Sequence, residues 1–120
     1  MNIRYWIRAW RLARLVPHLL YAVALVLLIL IPGWVVAKPW WHALRHRVIR
    51  HWFRILVRLL GLRITLVGQV VDGPVLRVAN HISWLDVVVL NAISPSVFVA
   101  KAEVAQWPLI GWMANWLGTL

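Results

Sequence analysis

The sequence predicts an α/β architecture behind an N-terminal arm of membrane-associated helices. Three observations carry this. Residues 1–63 hold eleven Lys and Arg and no acid, whereas residues 64–120 hold two basic side chains against three acids. Leu15 to Ala37 is a run of twenty-three residues without a formal charge. Beyond Gly61, apolar residues recur with the period of two of a strand, then alternate between strand and helix patterns. The natural division is an arm at 1–61 and a second unit at 62–120.

Composition narrows the class. The chain has 120 residues, 63% of them apolar and 13% charged, with a formal net charge of +10. Disorder is excluded, because it requires low hydrophobicity. Cysteine is absent, which removes disulfides, thiolate metal sites and Cys nucleophiles. A charge of +10 calls for an anionic partner. The basic residues are interleaved with Leu, Val, Ile and Trp rather than with polar residues, which favours lipid headgroups over nucleic acid. The ten Trp point the same way, since indole rings settle at the membrane–water interface.

In the arm, MNIRYWIRAWRLAR places Arg4, Arg8 and Arg11 at helical spacing, with Ile3, Ile7 and Trp10 on an adjacent face. This predicts a short basic amphipathic helix. The uncharged run that follows reaches the roughly 20 residues a spanning helix needs. Pro32-Gly33 interrupts it and both flanks are basic, so a spanning helix and a one-leaflet anchor both fit, and both ends are expected on the cytoplasmic side. Val35-Val36-Ala37 makes a poor cleavage site for a signal peptide. Residues 40–60 predict a second amphipathic helix. Trp41, Leu44, Val48, Trp52, Ile55, Leu56 and Leu59 lie on one face, Arg47, Arg50, Arg54 and Arg58 on the other, and Gly61 is the stop.

In the second unit, Leu62–Val67, Val75–Ala79 and Val97–Ala100 read as strands, with turn residues between Gly68 and Gly73. Ser83 and Asp86 have the spacing of a capping box and open a helix through Val87, Leu90 and Ala92 to about Ser94-Pro95. A last helix covers about Val104 to Leu117, broken near Pro108 and ended by Gly118. Strand, helix, strand, helix predicts a sheet with crossover connections.

The residues able to do chemistry gather at Asn80-His81-Ile82-Ser83-Trp84-Leu85-Asp86. His81 follows a predicted strand, where open α/β sheets hold their ligands. A carboxylate on one imidazole nitrogen raises the basicity of the other, giving a base able to take a proton from an alcohol. Asp86 as a plain helix cap, with His81 an ordinary loop histidine, fits the same spacing.

Asn-His, with Ser two and Asp five residues after the His, resembles the first motif of the glycerophospholipid acyltransferases, the bacterial 1-acylglycerol-3-phosphate acyltransferases in particular. The run Val75-Leu76-Arg77-Val78-Ala79 is similar to the family's lead into that motif. Phe98 to Glu103, Trp107 to Trp112 and Leu117-Gly118-Thr119 resemble the stretch after it. The resemblance covers about 62–120, which would then be the first strands and helices of an α/β acyltransferase domain. It implies that His81 deprotonates the free hydroxyl of a lysophospholipid, lysophosphatidic acid above all. The alkoxide would attack the thioester of acyl-CoA or acyl-carrier protein, with Asp86 orienting His81. It implies no metal and no cofactor, the thioester being a co-substrate, and a place on the cytoplasmic face of the inner membrane.

The family's phosphate-binding Arg is expected beyond the position matching Leu120. The 120 residues are therefore expected to be the N-terminal part of a longer enzyme, inactive alone. An acyltransferase acting on lyso-ornithine lipid or on another lysophospholipid would carry the same first motif. A non-catalytic membrane adaptor would need only the arm, and a nucleic-acid binder would need salt-sensitive binding.

Overall fold

A computed structural model describes residues 3–30, 39–71, 73–80, 82–99 and 101–117. Helix α1 runs Ile3–Leu25 and continues as a single π turn, Val26–Leu30. Helix α2 spans Pro39–Leu60, α3 Trp84–Ile93 and α4 Ile110–Leu117, with a 3-10 turn at Ala102–Gln106. The short amphipathic helix and the start of the uncharged run are thus one continuous helix, with Pro17 inside it. Over Ile3–Leu28 this helix is long and apolar enough to cross a membrane, with a mean hydropathy of 1.6. Twenty-six residues at 1.5 Å each give about 39 Å, against a hydrocarbon core of about 30 Å. Pro32-Gly33 and Val35-Val36-Ala37 lie outside the described residues.

The core sits where α1, α2 and α3 meet. Ala22 and Val26 come from the first helix, Ile49, Trp52, Phe53, Leu56 and Val57 from α2, and Val88 and Ala92 from α3. Trp52 is central. Its ring stacks on His18 at 4.5 Å and 10°, meets Phe53 edge-on at 4.9 Å, and its Nε1 donates to the His18 carbonyl at 3.3 Å. On the flank of α2, partial desolvation, and then the charges of Arg45, Arg50 and His42, hold His46 below the ordinary imidazole value.

The end of α2 follows from Gly61. Its φ of 73° is left-handed, a conformation L side chains avoid. The Leu62 N–H then reaches the Val57 carbonyl at 3.0 Å and the Gly61 N–H the Arg58 carbonyl at 3.1 Å, a Schellman arrangement. Leu62 turns back onto the core, and the Arg11 guanidinium of α1 lies over the glycine.

The expected α/β fold is overturned. Among the described residues the architecture is helical, and Leu62–Val67, Val75–Ala79 and Val97–Val99 form no strand. Ala100 lies outside the described residues. The reason is physical: alternation marks which faces could be buried, but a strand exists only through a partner, and pairs of strands alone are marginal. Here side chains take up backbone groups that a ladder would use. Arg77 Nη2 donates to the Val71 carbonyl at 2.9 Å. The last helix is divided as expected near Pro108, into the 3-10 turn and α4. Gly111 makes that junction possible, since a Cβ there would collide with the Ala105 carbonyl. Gly118 lies outside the described residues.

Gly61→Ala should therefore strain the left-handed turn and displace Arg11. Thermal unfolding in neutral detergent should show a loss of about 1–2 kcal/mol; an unchanged midpoint would mean the turn does not end α2.

Candidate functional site

The segment that carries the chemistry is set by the N-terminus of α3. Ser83 takes an extended conformation at the N-cap, φ −145° and ψ 153°, and its hydroxyl accepts from the Leu85 N–H at 3.3 Å. Asp86, in the first turn, reaches back. Its Oδ2 accepts from the Ser83 N–H at 3.0 Å and the Ile82 N–H at 2.9 Å. The capping box expected from the spacing is present. A carboxylate in the first turn also meets the positive end of the helix dipole. Asp86 thus fastens the turn next to His81 to the helix. His81 itself lies outside the described residues, so the cap role of Asp86 stands on geometry.

The turn is exposed. Ile82 is 94% and Trp84 63% accessible, and Leu76 and Val78 on the preceding run are each at least 90% accessible. A reacting group here would meet its substrate at a surface edged with apolar side chains.

Two arginines hold this region, and neither role was legible from spacing. Arg77 donates from Nη1 to the Ser96 hydroxyl at 2.8 Å and from Nη2 to the Val71 carbonyl. The Ser96 N–H in turn donates to Asn91 Oδ1 at 3.2 Å, and buried Asn91 donates from Nδ2 to the Val87 carbonyl at 3.0 Å. The run entering the motif is thereby tied to both ends of the loop system and to α3. The available signal was a lone Arg in an apolar run, Val75 to Ala79. Arg54 of α2 donates from Nε to the Ala92 carbonyl at 3.1 Å and so holds the C-terminus of α3.

Residues 63–120 match the Acyltransferase family. The chain is 44% identical over 77 residues to a lyso-ornithine lipid O-acyltransferase of Pseudomonas aeruginosa, covering 64% of this chain and 30% of that protein. With the Rhizobium meliloti protein of the same name it shares 39% over 109 residues, 88% of this chain and 36% of that one. A Neisseria gonorrhoeae 1-acyl-sn-glycerol-3-phosphate acyltransferase is 48% identical over 46 residues, 38% of this chain and 18% of that protein. The chain thus spans about a third of the length of the lyso-ornithine lipid relatives. No solved structure matches it.

Ser83→Ala removes a cap worth about 1 kcal/mol. Amide exchange in the first turn of α3 should quicken roughly fivefold, while α2 keeps its protection. Equal rates in both proteins would show that the box does not fix the turn.

Proposed function

We propose, from the match of residues 63–120 to the Acyltransferase family, that the protein transfers a fatty acyl group to the hydroxyl of a lysolipid at the membrane surface. His81 takes the hydroxyl proton, and the resulting oxygen nucleophile attacks the thioester carbonyl of acyl-CoA or acyl-carrier protein. The thiolate leaves and carries off the proton held by His81. Asp86 positions His81, through the turn it already fastens and through its negative charge, which favours the imidazolium formed during transfer. Arg77 and Arg54 are positioning residues at one remove. The arm, with the span Ile3–Leu28 and basic helix α2, holds this chemistry on the cytoplasmic side of the inner membrane.

The acceptor is lyso-ornithine lipid in this reading. The observation that carries it is the 39% identity over 88% of the chain to a protein of that name, arm included. Lysophosphatidic acid is the second reading, and it rests on the shorter Neisseria match, over 46 residues.

Full-length protein in membranes, given a labelled acyl thioester, should acylate lyso-ornithine lipid faster than lysophosphatidic acid. His81→Ala should lower the rate at least a hundredfold, the lower end of what a general base supplies, with membrane retention unchanged. Preference for lysophosphatidic acid would replace the acceptor assignment; undiminished turnover in His81→Ala would overturn the mechanism.

A further inference from the structure

A cleft of about 420 Å³ opens between α2 and the extended run that follows it. Its lining joins Arg54, Arg58 and Val57 of α2 to Ile64, Leu66 and Val70, and the C-terminal turn of α3 adjoins them. The volume falls within the range of small-molecule sites. Arg54 and Arg58 are four residues apart on a helix, hence neighbours, and two like charges so placed repel each other. Arg54 gives its Nε to the Ala92 carbonyl. Its Nη donors and the Arg58 guanidinium make no hydrogen bond among the described residues. Residues 1–63 contain no acid to neutralise them. The remainder of the lining is aliphatic, with Leu66 56% and Ile64 37% accessible.

Two guanidinium groups beside an aliphatic trough suit a molecule with an anionic head and a hydrocarbon tail. Arginine forks match phosphate oxygens in pairs, and the trough would remove a methylene chain from water. A helix fit to cross a bilayer packs against α2, so a phospholipid would be at hand. We propose that this cleft holds one anionic phospholipid taken from the bilayer, its phosphate on Arg54 and Arg58 and one acyl chain along Val57, Ile64, Leu66 and Val70. The site uses no residue of the 80–86 motif, and of the residues named in the acyl-transfer reading it shares Arg54 alone.

The test is native mass spectrometry of the full-length protein in neutral detergent, titrated with dioleoyl phosphatidylglycerol. One lipid per chain should be retained, saturably, and neither dioleoyl phosphatidylcholine nor millimolar inorganic phosphate should displace it. Arg58→Gln and, separately, Ile64→Glu should weaken retention at least tenfold. Both side chains are exposed, so neither change threatens the core. The charge-matched control Arg47→Gln should stay within twofold of the parent. Several lipids held without saturation, or equal weakening in the control, would show general charge attraction and overturn the site. Displacement by inorganic phosphate would show an anion site without a tail groove, which also overturns it.

Discussion

Trp52 is the contact on which the arrangement of the described helices depends. Its ring stacks on His18 of α1 while its indole N–H is used by the His18 backbone carbonyl. An indole buried without that partner would leave a polar hydrogen unsatisfied, so the hydrogen bond fixes orientation and the stack supplies area. From this point the structure can be followed as a sequence of ties. Trp52 joins α1 to α2; Arg54, two residues on, joins α2 to the end of α3; Asp86 joins the start of α3 to the turn at Ile82-Ser83. The helix that can cross a membrane is thus tied to the motif through three contacts among the described residues.

What could be read from the sequence was what is decided locally. The helix at 40–60 appears within a residue of its expected start, because a long two-faced pattern leaves little choice. Gly61 ends it because glycine takes that left-handed φ without a Cβ clash, and Ser83 with Asp86 begins α3 because their spacing satisfies two N–H groups at once. The strands failed because pairing is not local. Val75 to Ala79 has the composition of a strand, yet its Arg77 spends its donors on Val71 and Ser96, partners six and nineteen residues away that no periodicity announces. Arg54 on Ala92 is hidden for the same reason, across thirty-eight residues. In the candidate site, Asp86 was found by spacing and the resemblance, whereas the arginines that steady its surroundings were not.

The charge asymmetry has a consistent physical meaning. Eleven basic residues on the first 63, without an acid, would repel one another unless an anionic surface lies against them. The exposed Trp6, Trp10 and Trp40 beside them are suited to the interface of such a surface. In the proposed reaction the nearly neutral second unit faces both a lipid acceptor and a water-soluble thioester. The match of residues 63–120 to the Acyltransferase family and the apolar, basic arm are both consistent with the proposed acyl transfer at a membrane boundary.

The central claim is that a histidine steadied by Asp86 takes a proton from that hydroxyl. The most direct measurement is the pH dependence of kcat/KM for acyl transfer to lyso-ornithine lipid, in the parent protein and in Asp86→Asn. The rate of the parent should rise with pH through the imidazole range and then level. Loss of the carboxylate removes what favours the imidazolium, so Asp86→Asn should move the rise to lower pH and lower its plateau. A rate flat across that range, or a profile that Asp86→Asn leaves unmoved, would contradict the account.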